Sequence, residues 1–129
     1  MRRVIFDASA LLTWFSADDT ASPTRSDYEH GLLGVVAPRE LTMHVLGALA
    51  ASRDWPADRF VRVAGELDRL GFELREPPLD EIAAWLGRGL TADQAQYAAL
   101  ASSLDLPLIT ADPELLRRAA TVARSTTDG

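Results

Sequence analysis

Apolar positions along the chain alternate between short continuous runs and longer stretches with helical spacing. The short runs, which are rich in β-branched and aromatic residues, predict strands at residues 4–6, 34–37, 72–75 and 108–110, and a fifth at 121–123. The helix-periodic stretches predict helices at residues 8–15, 27–33, 38–52, 57–70, 79–86, 92–103 and 113–120. Residues 17–26 have the composition of a loop.

This alternation of strand and helix predicts an α/β fold of three layers. A central parallel sheet of four to five short strands is flanked by helices on its two faces. The length of 129 residues predicts one domain, which we place at residues 1–123. Residues 124–129 are predicted to be a disordered tail.

Two of the predicted strands lead directly into an aspartate, Asp7 after the first and Asp112 after the fourth. Ligands of open parallel sheets bind at the carboxyl ends of the strands, so these two acids can share one crevice. Paired carboxylates repel each other unless a cation joins them, and Mg²⁺ or Mn²⁺ is the cation that hard oxygen ligands prefer. The alternative is that each aspartate only caps the helix that follows it.

The composition of the chain excludes several classes of functional site. The chain has no cysteine and only two histidines, which excludes thiolate metal sites and multi-histidine sites. All 13 basic residues are arginine, so a Schiff-base lysine and a Walker-type phosphate loop are excluded as well. The net charge of −6 argues against passive coating of nucleic acid. We find no signal peptide and no apolar stretch of membrane-spanning length, so we expect a cytoplasmic protein without a membrane partner.

Four segments, in chain order, resemble the PIN-domain nucleases, and especially the VapC-type toxins of toxin–antitoxin systems. They are VIFDASALL at 4–12, VAPRELTMHVLGAL at 36–49, LTADQAQYAALA at 90–101 and LDLPLITADPELL at 104–116. The resemblance implies a PIN-like fold, a metal site of four acids, and Mg²⁺- or Mn²⁺-dependent hydrolysis of RNA. It also implies a VapB-like antitoxin as partner and a homodimer.

Compared position by position, the resemblance carries over only in part. Asp7 matches the first acid of the family and Asp112 the last. Thr110 matches a hydroxyl residue two positions before the last acid, and Ser9 a small polar residue that supports the first. The family's second acid, a glutamate, is replaced here by His44. The family's third acid is replaced as well, so two of the four acids are missing from their matched positions.

That third position holds Gln94, with Asp93 immediately before it. Gln94 can serve as a neutral oxygen ligand, or Asp93 can take its place if the helix start is rotated by one residue. His44 can bind Mn²⁺ through an imidazole nitrogen, and Glu40, one turn earlier, can orient the imidazole or reach the site itself. The plainer alternatives are a hydrogen-bonded histidine without a metal and, for Asp93, a first-turn carboxylate favoured by the helix dipole.

We therefore expect Asp7, Asp112 and Asp93 to be catalytic. The same acids, with Gln94 and His44, are the expected metal ligands, and Ser9, Glu40 and Thr110 are the expected supporting residues. The expected function is that of a VapC-like, metal-dependent endoribonuclease with weakened activity. The alternative is a degenerate PIN domain that acts as a binding or regulatory partner. A receiver-like domain with an acidic pocket is disfavoured by the absence of lysine.

Overall fold

A computed structural model describes residues 1–15 and 23–126. Its strands are β1 Arg2–Phe6, β2 Leu33–Pro38, β3 Glu73–Arg75, β4 Leu108–Thr110 and β5 Ala123–Ser125. Its helices are α1 Ala8–Leu12, extended by a 3₁₀ turn at Thr13–Phe15, then α2 Pro23–Glu29, α3 Leu41–Ser52, α4 Ala57–Leu70, α5 Leu79–Leu86, α6 Ala92–Leu104 and α7 Pro113–Arg118. The predicted α/β fold with a central parallel sheet flanked by helices is confirmed.

The five strands form one sheet in the order β3-β2-β1-β4-β5, and all of the pairings are parallel. The chain first builds outward from β1 through β2 to β3, and then returns to the other side of β1 for β4 and β5. The strand order therefore reverses between β1 and β4. A crevice opens at such a reversal, outside the carboxyl ends of the two strands.

Several predicted boundaries are wrong. Pro38 does not start a helix: it is the last residue of β2 and pairs with Arg75. Helix α2 begins at Pro23, so residues 23–26 are not loop, while residues 16–22 lie outside the described part of the chain.

The C-terminal prediction is also wrong in part. Strand β5 covers Ala123–Ser125 instead of residues 121–123, and it pairs with β4. The amide of Thr126 donates to the carbonyl of Thr110, so the predicted disordered tail is ordered through residue 126. Residues 127–129 lie outside the described part of the chain.

The core lies between the sheet and the inner faces of the helices. Helix α6 presents a run of small buried residues, Ala95, Ala98, Ala99 and Ala101, all fully shielded from solvent. Their size lets the helix approach β1 and β2 closely, which holds the start of α6 beside the carboxyl edge of the sheet. None of the helices within residues 1–15 and 23–126 has both the length and the apolar run needed to span a bilayer.

Candidate functional site

Asp7 leaves β1 at the carboxyl edge of the sheet and caps α1. Its Oδ1 accepts hydrogen bonds from the amide of Ala10 at 2.9 Å and from Oγ of Ser9 at 2.8 Å. Its Oδ2 accepts a hydrogen bond of 2.5 Å from Oγ1 of Thr110. The side chain is buried, and each of its carboxylate oxygens accepts at least one hydrogen bond. Asp7 therefore has the predicted capping role and also faces the neighbouring strand, which a simple cap does not require.

Two hydroxyl groups join the ends of β1 and β4. Thr110 Oγ1, which donates to Asp7, accepts a hydrogen bond of 2.9 Å from the amide of Asp112. Ser9 Oγ likewise donates to Asp7 and accepts from the amide of Ala111 at 2.9 Å. The supporting roles predicted for Ser9 and Thr110 agree with this geometry, because both hydroxyls hold Asp7 in register with the segment that carries Asp112.

Asp112 caps α7 and reaches toward α6. Its Oδ1 accepts from the amide of Glu114 at 2.9 Å, and its Oδ2 accepts from Nε2 of Gln94 at 3.0 Å. The side-chain oxygen of Gln94 is already engaged, because it accepts from the amide of Thr91 at 2.9 Å in a capping box. A backbone amide can only donate, so Gln94 presents its NH₂ group to Asp112. The prediction of Gln94 as an oxygen ligand is wrong for this arrangement.

His44 lies between two side chains of α6. Its Nδ1 is 2.6 Å from Oη of Tyr97, and its Nε2 is 3.4 Å from Oδ1 of Asp93. The prediction that Glu40 orients the imidazole is wrong, because both ring nitrogens face α6 and the Glu40 side chain is exposed. Tyr97 was missed as a site residue. Its spacing of four from Asp93 is the signal that places the two on one helical face.

These side chains line a common cleft of about 410 Å³. Among the residues that the structure describes, the cleft is lined by Asp7, Ala8, Ser9, Met43, His44, Gly47, Asp93, Gln94, Tyr97, Asp112 and Leu115. The structure thus brings together the three predicted catalytic acids, His44 and Gln94, while Glu40 stays outside. Within residues 1–15 and 23–126 the lining includes no arginine, so the cleft carries carboxylates without a permanent cation.

Burial raises the pKa of Asp7 above its ordinary value. The hydrogen bonds from Thr110, Ala10 and Ser9 oppose that shift, and the negative charge of Asp112 adds to it. Burial also raises the pKa of Tyr97, with further contributions from the charges of Asp7, Asp93 and Glu40. Tyr97 therefore keeps its proton, and its hydroxyl lies 2.6 Å from Nδ1 of His44.

The remaining acceptor capacity of the two strand-end acids fits one divalent cation. A carboxylate has about four acceptor positions. Asp7 uses three of them and Asp112 uses two, which leaves hard oxygen donors on both residues. In the described part of the chain, no three acidic or histidine side chains form a ready-made metal site. Asp7 and Asp112, which the hydroxyl of Thr110 joins, are therefore the principal donors, while one oxygen of Asp93 faces His44 at 3.4 Å.

The hydroxyl of Thr110 is expected to stabilise the fold as well as the site. Thr110→Val keeps the shape of this fully buried side chain but leaves the amide of Asp112 and one oxygen of Asp7 without their partner. We expect the free energy of unfolding to fall by about 1–3 kcal/mol. Chemical denaturation measures it, with Thr121→Val at an exposed turn as the control. An equal, small change in both variants would contradict this role.

No family model matches the chain, and no curated protein matches it. Among solved structures, the chain is similar to the crystal structure of PAE2754 from Pyrobaculum aerophilum, with a TM-score of 0.73 and 26% sequence identity. The match covers 98% of this chain and 91% of that one. It therefore extends over the whole sheet, including both strands that carry the cleft acids.

Proposed function

We propose that this protein is a VapC-like, metal-dependent endoribonuclease of the PIN-domain type that works with a single divalent cation, Mg²⁺ or Mn²⁺. The observation that supports the proposal best is the position of Asp7 and Asp112. They follow adjacent strands at the reversal of the strand order and are joined through Thr110. The cleft is open and has carboxylates but no arginine in its described lining, so a phosphodiester can enter only with a cation.

In this mechanism Asp7 and Asp112 would hold the ion through the oxygen positions that their hydrogen bonds leave free. The bound ion would supply Lewis acidity that activates water and offsets the charge of the phosphoryl group. Ser9 and Thr110 fix the carboxylate of Asp7 so that it need not reorganise during the reaction. A VapB-like antitoxin, a homodimer and a cytoplasmic location belong to the same proposal.

Cleavage of a structured RNA tests this function. We expect the purified protein to cleave RNA in Mn²⁺, to stop when EDTA is added, and to resume when Mn²⁺ is restored in excess. Asp112→Asn should abolish cleavage, because it removes a charged ligand while asparagine still caps α7. Asp68→Asn, on the exposed face of α4, is the control with the same change of charge. Cleavage that survives in Asp112→Asn would contradict the assignment.

A binding module without catalysis is the second candidate, and the contact of Gln94 with Asp112 favours it. The NH₂ group of Gln94 occupies one oxygen of Asp112, as a weak substitute for a cation. A protein that uses the PIN-like fold only to bind a partner does not need a cation to neutralise the carboxylate of Asp112. If neither Mg²⁺ nor Mn²⁺ supports cleavage by the wild-type protein, this candidate replaces the nuclease.

Substituting Gln94 measures how far this contact limits metal binding. Gln94→Asp removes the competing donor and adds a negative oxygen, so we expect Mn²⁺ to bind at least about tenfold more tightly, equivalent to roughly 1.4 kcal/mol. Isothermal titration calorimetry gives the affinity. Gln96→Asp adds the same charge to α6 outside the cleft lining and serves as the control. Equal affinities for both variants would show that position 94 does not face the ion.

A further inference from the structure

The second feature of the cleft is a chain of contacts from Asp93 through His44 to Tyr97. It stands on the side of the cleft formed by α3 and α6, apart from the two strand-end acids. The Asp93 side chain is 71% exposed and the His44 side chain 20% exposed, so the imidazole is held by the protein and is partly open to the cleft that it lines. A fully buried core histidine would have no such opening.

The contacts of the ring determine which of its protons can be transferred. Nδ1 is held at 2.6 Å by the hydroxyl of Tyr97, and the raised pKa of that hydroxyl means that it cannot take up the imidazole's proton as a tyrosinate. Nε2 is 3.4 Å from Asp93, longer than the usual 2.9 Å hydrogen bond, so its N–H is attracted by the carboxylate without being sequestered. Nε2, which faces the exposed Asp93, is therefore the ring nitrogen that can deliver a proton into the cleft.

Charged and titratable groups surround the ring of His44 on α3, on α6 and across the cleft. Asp93 on α6 contacts the ring directly, and Glu40, the N-cap residue of α3, lies four residues before His44. Tyr97 is neutral, and Asp7 lies across the cleft. Within residues 1–15 and 23–126 the cleft lining has no second histidine and no arginine, so the imidazole of His44 is the one nitrogen group there that is suited to proton transfer.

We propose that His44 is a catalytic residue that protonates the departing ribose oxygen during phosphodiester hydrolysis, with Asp93 as its positioning residue. This rests on the proposed nuclease function. The oxygen of water forms a new bond to phosphorus, and the bond from phosphorus to the ribose oxygen breaks, with its electron pair staying on that oxygen. The Nε2 proton of the imidazolium moves to the departing oxygen. The proton lost by the water leaves to solvent, from which His44 is reprotonated.

Such a donor complements a site with a single ion. Hydrolysis with two ions uses one of them to stabilise the departing oxygen, and the donor set here fits only one. A proton delivered to that oxygen achieves the same neutralisation. General-acid catalysis typically contributes 10²–10⁴-fold, which sets the scale of the expected effect.

Replacing the departing oxygen tests the proposal. Sulfur leaves as a thiolate and needs no proton, so we compare an oligoribonucleotide with the same strand carrying a bridging sulfur at the cleaved linkage. End-group analysis of the wild-type products shows which bridging position to substitute. We expect His44→Gln to lose at least about 100-fold on the oxygen substrate and no more than a few-fold on the sulfur substrate. His30→Gln, at an exposed position, is the matched control and should change neither rate.

The possible outcomes distinguish the nuclease function from the role of His44 as a proton donor. A wild-type protein that cleaves neither substrate contradicts the nuclease function and the donor together. Equal losses by His44→Gln on both substrates overturn the donor and leave the nuclease standing. Asp93→Asn should show the same preference for sulfur with a smaller loss, because it weakens the hold on the ring without removing it.

A spectroscopic measurement avoids substituting His44 at all. The chain has two histidines, so His30→Gln leaves one imidazole in the ¹⁵N spectrum. The probe is an oligoribonucleotide in Mg²⁺ whose departing oxygen is replaced by CH₂ and which cannot be cleaved. We expect its binding to shift the Nε2 resonance of His44. Binding of the same probe without a change at Nε2 would overturn the proposal.

Discussion

Asp7→Asn is expected to abolish RNA cleavage, by about 10³-fold or more, while the folded protein becomes more resistant to unfolding. We expect the loss of activity because the substitution removes one of the two charged ligands that we propose for the ion. The amide keeps the carbonyl oxygen that caps α1, because asparagine caps about as well as aspartate. Its NH₂ group can donate to Thr110 Oγ1. Cleavage assays and thermal melting on the same preparations measure both effects.

The gain in stability has a defined dependence on pH. Burial raises the pKa of Asp7 in the folded protein above the ordinary value of 3.8, so the folded state binds the proton more tightly than the unfolded chain. The wild-type protein therefore loses stability as the pH rises from about 3.8 through the folded-state pKa, and Asp7→Asn avoids that loss. The advantage of the variant should be present at pH 7 and vanish below pH 3.8. An advantage of equal size at both pH values would mean that ionisation is not its cause.

Trp14→Ala is expected to be the most destabilising of the substitutions discussed, costing about 3–5 kcal/mol. Trp14 lies in the 3₁₀ turn that extends α1. The structure buries it, with ring centroids 5.5 Å from Phe6, 5.6 Å from Tyr28 and 5.9 Å from Phe72. Its Nε1 donates to Oγ1 of Thr24 at 2.9 Å. A domain of this size has only about 5–15 kcal/mol of stability to lose.

The control for this prediction is Trp55→Ala. Trp55 is half-buried, packs against Phe60 at 5.3 Å, and has the guanidinium of Arg59 over its ring at 4.1 Å. Because part of the ring already faces solvent, its loss should cost less than about 2 kcal/mol. Urea denaturation of both variants gives the comparison. Equal costs would show that the aromatic cluster around Trp14 does not act as a core.

The regular elements of this chain were predictable where a local signal sets them. Helix α4 spans Ala57–Leu70, as its helix-periodic stretch predicted, and Gly71 ends it with a φ of +66° that favours glycine. Strands β1 and β4 follow from their apolar runs. The position of β5 did not, because its register is set by pairing with β4 and by the amide of Thr126, which are contacts between distant parts of the chain.

The same distinction applies to the site. Asp7 and Asp112 were predictable because both follow buried strands, and parallel strands place their carboxyl ends at one edge. The orientation of Gln94 was not, because it depends on which amide atom Thr91 takes in the capping box. The partners of His44 were also missed. They lie on α6, more than 45 residues away in sequence, and only the packing of α6 against the sheet brings them near.

The most direct test of the central claim is to count the Mn²⁺ ions that bind to each chain. Electron paramagnetic resonance measures free Mn²⁺ during a titration of the wild-type protein, Asp7→Asn, Asp112→Asn and the control Asp68→Asn. We expect one bound ion in the wild type and in Asp68→Asn, and no bound ion in Asp7→Asn or Asp112→Asn. Binding that is unchanged in Asp7→Asn and Asp112→Asn would show that the ion is held elsewhere and would contradict the account.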